Sequence, residues 1–159
     1  MSLDQDTLQI VSDYLMNSEA SIFEYQNYMI WKLLIYSDFS TPALIAHARS
    51  IVFSSDAHLP DVAGALIYMG RFGDINDKKT IVQQIKASQL FKNFFVQRHA
   101  IIAIQELEYA DLEEAKCHIQ RENMDVYRHW HRQNIPRYAT RPPDILANEL
   151  LQGVSIYVW

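Results

Sequence analysis

The spacing of apolar residues constrains the fold of this chain more than any other feature of its sequence. Apolar residues recur at intervals of three and four along its length, and the alternation typical of β-strands is almost absent. The chain has 159 residues, of which 49 % are hydrophobic, so it can bury a continuous core. These features predict an all-α fold and exclude a largely disordered chain.

Residues that suit helix N-termini recur at nearly regular intervals. The predicted caps are Asp6, Thr41, Asp77 and Asp111, which lie 35, 36 and 34 residues apart. The residues four positions after these caps are predicted to face inward, and they are Ile10, Ile45, Ile81 and Ala115. A helix–turn–helix period near 35 residues predicts a right-handed α-solenoid-like stack of antiparallel helix pairs. The alternative is that the chain forms an ordinary helical bundle, because such a bundle also gives some self-similarity in sequence.

The pattern also predicts individual helix faces and ends. Leu8, Val11 and Leu15 should face inward from the first helix. The second helix should start after Ser18 or Ser21 and present Ile22, Tyr25, Met29, Leu33 and Tyr36 to the core. Thr41-Pro42 should open the third, and Pro60 should open the fourth, which Gly73 should end in the left-handed conformation. A central helix is predicted over 91–107.

Two short motifs carry a resemblance to a known repeat family. The turn Arg71-Phe72-Gly73-Asp74 and the run Val96–Ile104 resemble the HEAT repeat family over roughly residues 21–122. The third turn departs from the pattern, since it lacks Gly and has Tyr109 in place of the usual Asp. The resemblance implies a HEAT-like architecture and little about function.

The repeats divide the chain into two predicted parts. Residues 1–122 form a helical-repeat body of about three and a half helix pairs, and residues 123–159 form a basic, aromatic segment that closes the stack. The first helix matches the second helix of a repeat unit, so the sequence predicts a fragment from the C-terminal part of a longer protein. The reason is that an unpaired helix at the start of a complete protein would leave its apolar face uncovered. The alternative is that the first helix is a capping helix.

No motif for catalysis is recognisable. The sequence has no P-loop, Rossmann glycine pattern, nucleophile elbow or zincin motif. Cys117 and His118 are neighbours on a predicted helix and diverge by about 100°, so they are poorly placed to share a metal ion. His129 and His131 point to nearly opposite sides, and Arg121 is too far from His129 for a HEPN-type ribonuclease. We therefore predict no enzyme activity, metal or cofactor.

Basic and aromatic residues are interleaved near the C-terminus. Residues 121–141 carry a net charge of +3, whereas the remaining residues carry −8. Guanidinium groups suit phosphates, and flat rings stack on unpaired bases. The candidate RNA- or single-stranded-DNA-binding residues are Arg121, Arg128, Trp130, Arg132, Arg137, Tyr138 and Arg141. The alternative is that the aromatic rings pack on the core and the arginines are solvated. Lys92, Arg98 and His99 would extend this basic surface along the sixth helix, and the alternative for Arg98 and His99 is that they bond neighbouring turns.

A second resemblance suggests a context. The chain resembles the C-terminal helical extensions of some bacterial reverse transcriptases. The residues that carry this resemblance are Arg71–Asp74, Gln97–Ile102 and the tail Leu150–Trp159. This implies a noncatalytic scaffold that contacts RNA, DNA or a partner subunit, beside a polymerase outside this chain. The alternative is a free-standing protein–protein interaction adaptor without a nucleic-acid role.

Composition predicts the compartment. The chain has one cysteine, Cys117, which excludes an intrachain disulfide and fits a reducing environment. The most apolar stretch, 28–36, contains Lys32 and is too short to span a bilayer. A soluble, cytoplasmic protein without membrane contact is expected.

Overall fold

A computed structural model describes residues 3–18, 25–54 and 57–109 of the chain. These residues form six α-helices and one 3-10 turn, and they contain no β-strand. The helices are α1 (Gln5–Asn17), α2 (Gln26–Tyr36), α3 (Pro42–Phe53), α4 (Leu59–Phe72), α5 (Ile75–Ala87) and α6 (Phe94–Tyr109), and the turn Leu90–Lys92 precedes α6. The prediction of an all-α protein is therefore confirmed for the described part of the chain.

Side-chain caps start four of these helices: Asp4, Thr41 and Asp74 cap α1, α3 and α5, and Asn93 caps α6. Two of these caps lie earlier than predicted. A side-chain oxygen of Asp4 accepts the backbone N–H three residues on at 2.7 Å, and that of Thr41 does so at 3.1 Å. Asp74 and Asp77 form a capping box at the start of α5, with Asp74 as the cap. Thr41 is thus confirmed, whereas Asp6 and Asp77 lie inside their helices. The caps are less regularly spaced than predicted.

The predicted left-handed helix end at Gly73 is wrong. Gly73 has φ −77° and ψ −171°, which is extended backbone. A β-carbon there would lie 2.6 Å from Oδ2 of Asp77, so glycine is needed for close approach. The left-handed residue is instead Asp38 (φ 52°), after α2. The backbone N–H of Asp38 donates to the carbonyl of Ile35, and the backbone N–H of Phe39 donates to the carbonyl of Leu34. These two bonds form a Schellman motif.

Helix α4 makes the most extensive contacts in the described part of the chain. α4 lies between α2 and α6, while α3 packs against α4 and α5 against α6. All residues from 62 to 70 are buried, so α4 is covered on every side and is the central helix of the described part. The predicted helix over 91–107 corresponds to the 3-10 turn and α6, which flank it. α1 contacts α2 and α3 at the opposite end from α6.

The predicted inward face of α2 is wrong. The residues that α2 buries are Asn27, Trp31, Leu34 and Ile35, whereas Tyr25 and Met29 are 57 % and 59 % exposed. Gly64 on α4 leaves room for the indole of Trp31, and any β-carbon there would overlap the ring. The indole N–H also donates to Oδ1 of Asp61 at 2.8 Å. These contacts with α4 decide which apolar face of α2 turns inward.

The first helix and the residues after the caps match the predictions in part. Leu8 and Leu15 are buried and Val11 packs partly against the core, as expected. Ile81 on α5 is fully buried, but Ile10 on α1 is 69 % exposed. Because α1 starts at Asp4 rather than Asp6, the position that faces the core four residues on is Leu8.

No helix in the described ranges combines the length and the apolar character that a membrane span requires.

Candidate interaction surface and buried polar groups

The residues predicted to bind nucleic acid all lie outside the described part of the chain. They are Arg121, Arg128, Trp130, Arg132, Arg137, Tyr138 and Arg141. The Cys117–His131 region weighed as a metal site and the predicted boundary between residues 122 and 123 lie outside it as well. Within residues 3–18, 25–54 and 57–109, no group of three or more His, Cys, Asp or Glu side chains is arranged to hold a metal ion.

The proposed extension of the basic surface along α6 does not include His99. This side chain is buried, and its Nδ1 lies 2.7 Å from the carbonyl oxygen of Phe95 while its Nε2 lies 3.1 Å from the Tyr28 hydroxyl. The geometry fits a neutral ring that donates from Nδ1 and accepts at Nε2. Burial lowers the pKa of His99 to about 4. His99 therefore ties α6 to α2, whereas Lys92 remains exposed.

Four large apolar side chains are exposed on α1 and α2. They are Ile10 and Tyr14 on α1, with 69 % and 51 % exposure, and Tyr25 and Met29 at the start of α2. Each pair is spaced by four residues, so its members are neighbours on one helix face. Single exposed apolar residues are common, but two such pairs on adjacent helices need an explanation.

A side-chain hydrogen bond joins the two helices that carry these pairs. Nε2 of Gln26 donates to the hydroxyl of Tyr14 at 3.2 Å, which joins the last turn of α1 to the first turn of α2. Ile30, on the α2 flank next to Gln26, is partly buried against the core. We call the surface formed by Ile10, Tyr14, Tyr25 and Met29 the α1–α2 surface. Of the six large hydrophobic side chains that are exposed among the described residues, these four lie on α1 or at the start of α2.

The surface lies in an acidic stretch of the chain. Residues 1–31 contain five Asp or Glu residues and no Lys or Arg. Asp6 and Asp13 are exposed on α1, and both lie within four residues of Ile10 on the helix. On the opposite flank, the ammonium of Lys32 lies 5.4 Å over the ring of Tyr28. The acidic rim is therefore on the α1 side.

A carboxyl group is buried between α4 and α6. Glu106 is 4 % exposed, and its Oε2 has no hydrogen-bond partner within the described residues. A β-carbon at Gly70 would lie 2.8 Å from this oxygen and 2.7 Å from Cα of Ala103. Burial raises the pKa of Glu106 to about 8, and the positive charge of Arg71 opposes this in part. The group is therefore predominantly protonated at neutral pH.

Ion pairs join the successive turns. Arg49 on α3 donates from Nε to Oδ1 of Asp77 at 2.8 Å and from Nη2 to Oδ2 at 2.9 Å. Asp77 also accepts the backbone N–H of Asp74 at 2.8 Å. Arg71, at the end of α4, donates to Asp38 at 3.2 Å. These contacts hold neighbouring helices in register and have a structural role.

The α1–α2 surface was missed because its residues share the spacing of core residues. Tyr25 and Met29 fit an inward helical face as well as Trp31 and Leu34 do. The available signal was that α2 has apolar residues on both sides, which is typical of a helix covered on both sides. Gly64, inside an otherwise strong helix pattern, was a second signal of a bulky neighbour.

Comparisons with protein-family models, with curated proteins and with solved structures find no match for this chain.

Proposed function

We propose that this chain is a noncatalytic helical-repeat scaffold that binds a protein partner through the α1–α2 surface. The observation that carries the proposal is the exposure of four large apolar side chains on adjacent helices, at the edge of a well-packed core. Burying such side chains stabilises a complex by about 1.5–3 kcal/mol for each one fully buried, before the costs of association are subtracted. A scaffold fits the described geometry better than an enzyme does.

A HEAT-like, right-handed α-solenoid-like stack is the architecture that we propose for this scaffold. The row of α2, α4 and α6, with α3 against α4 and α5 against α6, supports it. In such a stack each helix of a row is covered by a neighbour on either side. α2 has α4 on one side, and a partner helix would cover the other. A cytoplasmic location remains part of the proposal and is supported by the single cysteine.

Site-specific photocrosslinking tests this function. A photoreactive amino acid replaces Met29 in one variant and the exposed Gln83 of α5 in the other, and both are expressed in the native cells. We expect a discrete protein adduct from position 29 and none from position 83. The partner is then purified, and its affinity is measured for the wild-type chain and for Met29→Glu. A loss of affinity of about tenfold or more is expected.

Gln83→Glu is the matched control for that measurement. It adds the same single negative charge to an exposed helical position on α5. We expect it to bind the purified partner like the wild type. The proposed function is wrong if position 29 gives no adduct, or if the partner binds Met29→Glu and the wild-type chain equally well.

Nucleic-acid binding is a second candidate, and the interleaved arginines and rings of residues 121–141 favour it. In this proposal the chain is an accessory domain of a bacterial reverse transcriptase, as the sequence resemblance implies. Affinities for RNA and for single-stranded DNA are measured at low and high salt, with Arg128→Ala/Arg132→Ala as the variant. We expect binding that weakens with salt and with the double substitution. Undetectable binding at low salt, or no effect of the variant, would contradict this candidate.

A further inference from the structure

Among the described helices, α2 stands at one end of the row that it forms with α4 and α6. Its neighbour α4 is buried on all sides, because α2 and α6 cover opposite flanks of it. α2 itself buries Asn27, Trp31, Leu34 and Ile35 against the core, and it leaves Tyr25 and Met29 exposed on the other side. A further helix beside α2 would continue the established helix–helix packing of the row.

The spacing of the exposed residues suits a helix as the occupant. Tyr25 and Met29 are one turn apart on α2, and Ile10 and Tyr14 are one turn apart on α1. The bond between Gln26 and Tyr14 joins the two helices, so the two pairs lie on neighbouring helices of the α1–α2 surface. An amphipathic helix buries its apolar face on such a surface through anchors at i, i+3, i+4 and i+7.

The charge of the rim selects among amphipathic helices. Asp6 and Asp13 flank Ile10 on the exposed side of α1. The first 31 residues contain no Lys or Arg that could neutralise these carboxylates locally. A helix with basic residues along the edge that faces α1 gains electrostatic attraction there, and an acidic helix is repelled. Charges on a rim act mainly on the association rate and on specificity.

We infer that the α1–α2 surface binds an amphipathic helix of a partner protein. The apolar residues of this helix would pack against the α1–α2 surface, and its Lys or Arg residues would lie along the edge beside α1. This inference rests on the proposed function and adds the chemistry of the partner. The occupant is a segment with one apolar face and one basic edge.

Designed peptides test the inference with the full chain. The first peptide is a helix of about 20 residues, roughly 30 Å long, with Leu at its apolar positions and Lys along one edge. The second has Glu in place of each Lys, and the third has the composition of the first in scrambled order. Their affinities for the wild-type chain, Met29→Glu and Gln83→Glu are measured by fluorescence anisotropy. Circular dichroism verifies that both variants are folded.

We expect the Lys-edged peptide to bind the wild-type chain and Gln83→Glu with equal affinity. Its affinity for Met29→Glu should be lower by about tenfold or more, because a charge then lies among the apolar side chains of the α1–α2 surface. The Glu-edged peptide should also bind the wild-type chain about tenfold more weakly, and added salt should reduce the difference. The scrambled peptide should not bind.

Three results would overturn the inference, and they are distinguishable from failure of the proposed function. If the Lys- and Glu-edged peptides bind equally and both are lost in Met29→Glu, the surface binds helices but the charge preference is wrong. If the Lys-edged peptide binds Met29→Glu as it binds the wild type, the site is wrong. If ultracentrifugation shows that the chain alone dimerises and that Met29→Glu abolishes this, the occupant is a second copy.

Discussion

Gly70 on α4 lies so close to Glu106 on α6 that a β-carbon on the glycine would be 2.8 Å from Oε2 of the carboxyl. The same β-carbon would lie 2.7 Å from Cα of Ala103, which belongs to the backbone of α6. The two helices therefore approach each other through a residue without a side chain, and a buried acid fills the adjacent space. This contact is the basis of the first two predictions.

Gly70→Ala should destabilise the protein. Alanine has the better helix propensity, by about 1 kcal/mol, but overpacking a tight helix contact costs about 1–3 kcal/mol. The overlap is with backbone, which cannot rotate away, so we expect a net loss of up to about 2 kcal/mol in the free energy of unfolding. Denaturant titration of the full chain measures it. Ala46→Gly, at an exposed position of α3, measures the propensity effect alone. Increased stability of Gly70→Ala would contradict the close contact.

Glu106→Gln should remove part of the pH dependence of stability. The folded-state pKa of Glu106 is raised from 4.5 to about 8, so the folded protein holds a proton that the unfolded chain releases. The stability of the wild type therefore falls as pH rises from about 4.5 to about 8, by up to roughly 1.4 kcal/mol per pH unit. Glutamine does not ionise, so the variant releases no proton from this position when it unfolds. The free energy of unfolding of the variant should exceed that of the wild type increasingly toward pH 8.

The difference between the two proteins isolates this one group, because other titrating residues are common to both. Denaturant titrations at intervals between about pH 5 and pH 8 provide it. Parallel stability curves for wild type and Glu106→Gln would mean that the carboxyl is ionised in the folded protein.

His99 should remain neutral well below the usual range for histidine. Burial lowers its pKa from 6.5 to about 4. The unfolded chain takes up the proton first, so this group reduces stability as pH falls from about 6.5 toward about 4 and has no such effect above that window. NMR titration of the His99 ring measures the midpoint in the folded state. A midpoint near 6.5 would contradict the buried contacts with Tyr28 and Phe95.

Asp77→Asn should cost more stability than Asp38→Asn. Asp77 is 7 % exposed in its side chain and accepts two hydrogen bonds from Arg49 as well as one from a backbone N–H. Losing part of this buried charge-assisted set should cost about 1–3 kcal/mol. Asp38 is 68 % exposed and accepts one bond from Arg71 at 3.2 Å, so its loss should cost less than about 1 kcal/mol.

The comparison is matched, since each substitution removes one charge and keeps the side-chain size. Asparagine also tolerates the left-handed conformation of position 38. The free energies of unfolding of the two variants decide the outcome. Equal losses would mean that the Arg49–Asp77 pair does not join α3 to α5.

The position of a helix could be predicted from the sequence where the residues that start it belong to the same short segment. Thr41-Pro42 starts α3 because a hydroxyl cap and a proline in the first turn are properties of that segment alone. The caps of α1 and α5 were placed two or three residues too late. In both places a second Asp lies within the first turn, and the pattern does not distinguish the cap from an acidic residue that follows it. In α5 that second residue, Asp77, completes a capping box.

The inward face of α2 could not be predicted because both of its faces are apolar. Packing against Gly64 and the bond to Asp61 place Trp31 inside, and both contacts involve α4, at least 30 residues away in the sequence. The exposed face, with Tyr25 and Met29, is the candidate binding surface. Here a residue pattern typical of a core marks a surface that another molecule can cover.

Hydrogen exchange of the full chain, with and without the Lys-edged peptide at saturation, tests whether the peptide binds at the α1–α2 surface. We predict slower exchange of backbone amides in α1 (Gln5–Asn17) and α2 (Gln26–Tyr36), with no change in α5 (Ile75–Ala87). Slower exchange in α5 with unchanged α1 and α2 would contradict this prediction, because the peptide would then bind away from the α1–α2 surface.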